Sequence, residues 1–349
     1  MRTIYFLLFL SFSLVGCMPR TSLQVLQPAQ MTVPEHINTL ALVDRSKPSN
    51  GWLNVLEGLF SGESISQDRQ SRREAMDGLT NALTRTPRFQ VKNTGIEMTG
   101  SKAGGNMPRP LEWSEVSQIC KDYNVDAVVA LESFDSDNNT STSRQLRKRK
   151  DKNGKEYTET TFNSRLRSSV RIGWRTYDPS RKIIFDEYVT DDFLERTASG
   201  NTERRAIDNL PSQVSVTRDV AFNVGIEYGA RIAPIYVTVS RAYYAKAKGQ
   251  KTLMKQAARH FEGKNYDMAT SMWKKIIAQA GDNKKAAGRA AYNMAVAAEV
   301  KGNLDIALDW AQRAWTEYGN KRARNYINVI KDRQNDARKV DSQMPGKKV

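Results

Sequence analysis

The chain has 349 residues, with 54 Lys and Arg against 38 Asp and Glu, a formal charge of +16, two cysteines and two histidines. That length suits two domains. So few cysteines exclude a disulfide-stapled scaffold, and His36 and His260 lie too far apart for any His-x-x-x-His metal spacing. The charge is uneven: residues 17–142 hold 12 basic and 15 acidic side chains, residues 143–349 hold 41 and 23, so an anionic partner is expected to meet the second part.

Arg2 precedes an apolar run, Ile4 to Val15, too short to cross the hydrocarbon core of a bilayer as a helix. It reads as a signal peptide over residues 1–16. Leu14-Val15-Gly16-Cys17 resembles the lipobox of bacterial lipoproteins. The resemblance implies that Cys17 becomes the first mature residue and carries the lipid. The two or three acyl chains of a mature lipoprotein hold a protein stably, at about 0.8 kcal/mol per buried CH2. The expected address is the outer membrane, facing the periplasm. With Cys17 acylated only Cys120 remains, in a helical stretch with Val116, Ile119 and Tyr123, where it reads as a small core residue.

Residues 17–35, with three prolines, read as a tether or an extended first strand. Ile37 to Val43 has the continuous apolar character of a buried strand. Ala75, Leu79, Ala82 and Leu83 at helical spacing predict a helix that Pro87 ends, before a strand at Phe89 to Val91. A second helix is expected over Glu112 to Tyr123, capped by Asn124, and Ala127 to Leu131 reads as a central strand buried on both faces. From Ser136 to Arg165 the chain is polar, with six basic residues between Arg144 and Lys152. It is either a mobile loop or a long exposed hairpin around Asn153-Gly154. Val170, Ile172 and Trp174 alternate with Arg171, Gly173 and Arg175, and Asp178-Pro179-Ser180 supplies the turn to a strand from Ile183 to Val189. A helix over Gln213 to Arg231 and a strand at Pro234 to Tyr244 complete an α/β domain assigned to residues 36–245, built on a single mixed sheet.

That succession of elements resembles the envelope lipoproteins of the curli-secretion-channel (CsgG-like) and penicillin-binding-protein-activator kind, and the N-terminal domain of TolB. The resemblance implies the α/β fold. The sequence departs from the channel members where they need membrane hairpins, since Lys148 to Arg165 would put many charges into lipid. A pore is not expected.

From Gln250 the chain turns to Ala-rich helices, and a repeat emerges. Tyr266 matches Leu304, Ala269 matches Ala307 and Trp273 matches Ala311, all at an offset of 38 residues. Gly263 and Gly302 are placed to end the preceding helices in a left-handed conformation, although the first copy has one extra residue before Tyr266. The alanines are small where paired helices cross. The segment 250–335 resembles tetratricopeptide repeats, with a final helix at Ala323 to Ile330 and a frayed, disordered tail over 336–349. The resemblance implies a protein partner held in the groove of stacked helices. Tyr266, Trp273, Lys274, Lys275 and Arg289 are the candidate contacts.

Motifs for catalysis are missing: there is no G-x-S-x-G, no phosphate loop and no dinucleotide fingerprint. Asp186-Glu187 and Asp191-Asp192 are adjacent strand residues, which point to opposite faces and read as solvated groups. No catalytic residue, cofactor or metal is assigned, and a lipoprotein leader argues against a nucleic-acid partner. The whole organisation resembles an uncharacterised lipoprotein family known from Bacteroidetes. The expected function is a membrane-anchored, non-enzymatic adaptor acting through its helices. The alternative is an accessory that binds anionic glycan or lipopolysaccharide through Arg147, Lys148, Arg149, Lys150, Arg171 and Arg175.

Overall fold

The computed structural model describes residues 18–47, 62–100, 106–344 and 346. Cys17 lies outside the described residues. The chain divides into two compact units, one of Leu26–Tyr236 with the residues from Lys339 onward, the other of Val237–Arg338 with the described residues up to Val25. The fold is a mixed α/β sheet unit followed by an all-helical one.

In the first unit, β2 (Thr39–Lys47), β3 (Gln90–Thr99) and β4 (Ala127–Lys150) run parallel, and β5 (Glu156–Asp178) and β6 (Ile183–Gly200) continue the sheet antiparallel. The order is β3-β2-β4-β5-β6. Helices α1 (Gly62–Thr84) and α4 (Gln213–Ile232) cover one face, where Leu79, Leu83, Val220 and Tyr228 meet Leu40, Val129, Leu131 and Trp174. Helix α2 (Trp113–Tyr123) covers the other, with Val116, Ile119 and Cys120 against Ala41, Val43, Val128 and Tyr177. The expected helix spacing is met: Ala75, Leu79, Ala82 and Leu83 are all buried. Asn124 ends α2 in a left-handed conformation, φ 48°, which Asn tolerates better than most residues. A short helix, α3 (Glu203–Asp208), follows β6.

Helices α1 and α4 approach so closely that a Cβ on Gly225 would lie 2.0 Å from the Ala75 carbonyl oxygen, and one on Gly78 2.0 Å from that of Phe222. Both obstacles are backbone, so the helices would have to separate. Gly225→Ala is expected to cost at least about 2 kcal/mol, read as a fall in the denaturant midpoint without a change in slope.

Asp126 ties the starts of β2 and β4 together. Its Oδ2 accepts the Asn38 and Thr39 amides and the Thr39 hydroxyl, each at 2.8 Å. Burial alone would raise this carboxyl, but those three donors, with His36 nearby, hold it below the usual carboxylate range. A depressed carboxyl contributes stability that is present above its unfolded value, about 3.9, and lost as pH falls through the folded one. Asp126→Asn is therefore expected to cost about 1 kcal/mol at neutral pH and to flatten the acid limb of a stability-versus-pH curve.

β4 carries a bulge: Leu131 pairs with Trp174 and Ser133 with Gly173, leaving Glu132 as the extra residue. Before it the odd-numbered residues face α1 and α4, and after it the even-numbered ones do, as Leu131 and Phe134 show in the same core.

The stretch 136–165 is not a mobile loop, because β4 and β5 pair continuously from Asp135↔Arg171 to Lys150↔Glu156. The hairpin alternative holds, as a continuation of the two core strands β4 and β5. The disordered tail expected over 336–349 is overturned as far as Gln343, since α9 (Lys321–Gln343) continues to that point; 345 and 347–349 lie outside the described residues. Val340 and Met344 are buried with Leu26, and the Gln343 side chain accepts from the Ala29 amide at 2.8 Å and donates to its carbonyl at 3.0 Å.

In the helical unit, α5 (Lys251–Glu262), α6 (Tyr266–Gln279), α7 (Lys284–Val300), α8 (Leu304–Thr316) and α9 surround a core containing Phe261, Trp273, Met294 and Ile330. Ala269 and Ala307 are wholly buried, as their small size at a helix crossing requires. Gly302 has φ 80°, but Gly263 does not adopt the left-handed conformation. Lys264 does, with φ 61°, because the extra residue of the first copy moves the turn by one position. Within the stretch expected to be a tether or an extended first strand, residues 20–27 form the strand β1 (Arg20–Gln27) and 28–35 do not. β1 pairs with β7 (Ile235–Ala242) in a separate two-stranded sheet, so β7 does not extend the five-stranded one. By contacts within the fold the division between units falls at 236/237, so most of β7 belongs with the helices.

Candidate functional site

Three places gather polar chemistry. The first is the distal ribbon of β4 and β5. β6 ends at Gly200 opposite Phe162, the partner of Arg144, so beyond Arg144 only two strands pair. Asp151 organises the turn, its Oδ1 accepting the Asn153 and Lys155 amides at 2.9 Å each, while Gly154 takes φ 81°. Arg144, Arg147, Lys148, Arg149, Lys150, Lys152 and Lys155 are all exposed there, against three carboxylates, Asp151, Glu156 and Glu159. Alternation places Arg147 and Arg149 on one face and Arg144, Lys148 and Lys150 on the other. Cross-strand pairs Arg149 to Glu159, 3.0 Å, and Lys150 to Glu156, 3.6 Å, leave the other cations unneutralised by them. Tyr157, 51% exposed, stands directly opposite Arg149, and Leu146 is 57% exposed.

Arg171 and Arg175 do not join this group. Arg171 pairs with Asp135 in register, 12 residues back along β4 from Arg147, about 40 Å at 3.3 Å per residue. It is bound to Asp191 at 2.8 Å. Arg175 is buried, donating to Glu187 at 2.7 Å and to the Pro108 carbonyl at 2.8 Å. It is a structural cation and is withdrawn as a ligand contact. Asp186, expected to be solvated, is buried and held by Nε and Nη2 of Arg231, the nearer at 2.8 Å.

The second place is the bulge residue. Glu132 is fully buried and accepts from Arg45 Nη1 at 2.7 Å and from the Tyr177 hydroxyl, with Arg175 Nη1 at 3.7 Å. Burial pushes its carboxyl up, and Tyr177, Arg45 and Arg175 pull it back without cancelling the rise. The same groups pin residues 108–111: Arg45 donates to the Arg109 carbonyl at 2.6 Å, and the Leu111 amide to the Tyr177 hydroxyl at 3.2 Å. Every member of the network serves to fasten that segment across the sheet. His36 offers no relay, because Asp178, 2.9 Å, and Ser180, 3.2 Å, both meet the same ring nitrogen, Nε2. Burial, with the charges of Asp126 and Asp178, pushes the Cys120 thiol up to about 11, which makes it a poor nucleophile. Among the described residues no cluster of three or more metal-ligating side chains is present.

The third place is the surround of α7, where every residue from Ala286 to Glu299 except Arg289 is buried. The chain's own segment Arg241 to Lys248 is seated on it. Asn293 clamps the Tyr244 backbone, accepting its N–H at 2.8 Å and donating to its carbonyl at 2.7 Å. Arg289 donates to the Lys246 carbonyl at 2.7 Å and lies over the Tyr244 ring, and Asn283 donates to the Lys248 carbonyl at 2.8 Å. Arg241 grips the fully buried Glu299 through two bonds of 2.8 Å, and the Tyr326 hydroxyl donates to the same carboxylate. Of the expected partner contacts, Trp273 is wholly buried against Phe261 and is withdrawn; Tyr266 packs on Phe261. Arg289 is committed to the segment, and only Lys274 and Lys275 are exposed. Asn293 and Glu299, the residues sequence reasoning missed, are polar interruptions in the apolar run Ala290 to Val300, a signal that was available.

The architecture defines a class, a mixed-sheet α/β unit joined to an all-helical unit. The chain belongs to a domain family of unknown function, DUF8603, whose sequence model matches residues 37–244. A second domain of unknown function, DUF6340, matches residues 255–332. No curated protein matches the chain. Among solved structures it is similar to a PelC dodecamer from Paraburkholderia phytofirmans, with 9% identity over 61% of this chain and 99% of that one, at a TM-score of 0.23. It is also similar to the hypothetical protein CT253 from Chlamydia trachomatis, with 12% identity over 56% and 98% and a TM-score of 0.22. Likeness this slight carries no functional argument. Among the described residues no helix is long and apolar enough to cross a membrane.

Proposed function

We propose that the protein is a non-enzymatic envelope lipoprotein, acylated at Cys17, that binds an anionic glycan, the sugar phosphates of lipopolysaccharide included, along the distal β4–β5 ribbon. The observation that carries this reading is a two-stranded ribbon bearing seven exposed cations against three carboxylates. The cations occupy both faces, which suits a flexible polyanion better than a single bound ion. Tyr157 beside Arg149 adds a flat amphipathic ring against which a sugar can lie. The experiment is titration of the full-length protein with phosphorylated lipopolysaccharide at increasing salt, alongside the ribbon variant argued in the Discussion. A salt-independent affinity would refute it.

A second reading, a protein adaptor acting through tetratricopeptide-like helices, is favoured by one observation. Met268 and Ile306, at matching positions of the two copies, are 45% and 53% exposed. A partner would meet those residues, since the α7 surface is taken by residues 241–248. Met268→Glu with Ile306→Glu would then abolish capture of the partner while leaving glycan binding intact.

A further inference from the structure

β1 begins at Arg20, three residues after Cys17, and its first residues are fastened at once. The Tyr243 amide donates to the Pro19 carbonyl at 3.0 Å, and Arg20 Nε donates to the Ser240 hydroxyl at 2.9 Å. Immediately beyond Tyr243 the chain is clamped on α7 by Asn293, Arg289 and Asn283. The strand that follows Cys17 is thus bonded to the segment that the helices hold. A trans chain reaches at most about 3.6 Å per residue, so a tether of three residues ahead of Arg20 spans at most about 11 Å.

We propose that the helical unit is the membrane-facing part of the protein: acylation of Cys17 leaves it no slack, and the cations that follow the clamped segment rest among anionic lipid phosphates. The proposal rests on the lipidation reading. Lys246, Lys248, Lys251 and Lys255 are exposed along the exit from the clamp, and so is Arg20 at its entry. Val237–Arg338 holds 20 Lys and Arg against 9 Asp and Glu, and one of those carboxylates, Glu299, is consumed inside the core. Juxtamembrane cations of this density are drawn to anionic lipid within a screening length, about 8 Å at physiological salt. The attraction is effective only if the body cannot swing away, and the Pro19 and Arg20 bonds supply that restraint.

The test uses full-length acylated protein in vesicles of phosphatidylethanolamine and phosphatidylglycerol that contain a nickel-chelating lipid, with a nitroxide on Lys246→Cys. The buried Cys120 does not compete for the label. Headgroup nickel is expected to relax the label several-fold more strongly than the same nickel complex free in solution. Inserting about 20 Gly and Ser residues between Met18 and Pro19, with a mean reach of roughly 25 Å, is expected to remove that excess. Acylated protein whose label senses headgroup nickel no more than soluble nickel, or an excess unchanged by the insertion, would overturn the proposal. The N-terminal mass of the same sample separates the two ideas: an unmodified Cys17 refutes lipidation and this arrangement together, whereas an acylated one without the nickel effect refutes the arrangement alone.

Discussion

Reversing four ribbon cations, Arg147→Glu, Lys148→Glu, Arg149→Glu and Lys150→Glu, is expected to weaken binding of phosphorylated lipopolysaccharide by roughly 30- to 1000-fold. Each exposed cation near an anionic surface contributes about 0.5–1 kcal/mol, so neutralising four removes about 2–4 kcal/mol. Every 1.4 kcal/mol is tenfold in affinity. Reversal adds repulsion and takes the effect towards the upper end. The ribbon stands outside the apolar core, so thermal stability is expected to move by less than about 1 kcal/mol. That separation is the useful control, because loss of binding without loss of fold assigns the effect to charge. The paired variant Arg171→Glu, about 40 Å back along the sheet and already bound to Asp191, is expected to leave affinity nearly unchanged. Equal losses from the two variants would mean that net charge, and not the ribbon, does the binding.

Glu299→Ala is expected to be the most damaging single change in the helical unit. Glu299 is fully buried, Arg241 reaches it through two bonds of 2.8 Å, Tyr326 donates to it, and Arg333 Nε lies 3.6 Å away. Removing the carboxylate strands two guanidinium groups beside an apolar core, and breaking a buried pair in this way costs about 3–5 kcal/mol. At about 4–8 °C per kcal/mol for a unit of roughly 100 residues, the helical transition should fall by more than about 10 °C. The double variant Glu299→Leu with Arg241→Met removes both charges at once and is expected to recover much of the loss. A midpoint for Glu299→Ala within a degree of the parent would show that the network contributes nothing net.

The parts of the fold legible in the sequence are those where burial imposes a period. Leu40 to Val43 and Ala127 to Leu131 lie between two layers of helix and read as continuous apolar runs, while Ala75, Leu79 and Leu83 keep the helical spacing of one buried face. The 38-residue repeat was visible for the same reason, with Ala269 and Ala307 both at crossings. What the sequence concealed are arrangements fixed by polar groups far apart in the chain. Nothing near Tyr244 announces that Asn293 will hold its backbone, and nothing near Ala29 announces Gln343. The end of α9 buries only Val340 and Met344 in a polar stretch, too few to set a period. Of the proposed ligand contacts, the cluster at 147–150 was legible as a charge run. The loss of Arg175 was not, because its partner Glu132 lies on a bulge that no alternation pattern reveals.

That single inserted residue also sets which way the far end of the sheet is painted. Were the bulge to close, with Glu132 paired opposite Gly173 and the ladder running on by regular alternation, every later side chain of β4 would turn to the opposite face, sending Phe134 into water and Asp135 against the helices, while Arg147 and Lys148 would exchange sides. One residue near the middle of the molecule thus acts as the phase setting for a surface a dozen positions away. The same strand bulged at Glu132 and paired through it would present swapped charge patterns to whatever it touches.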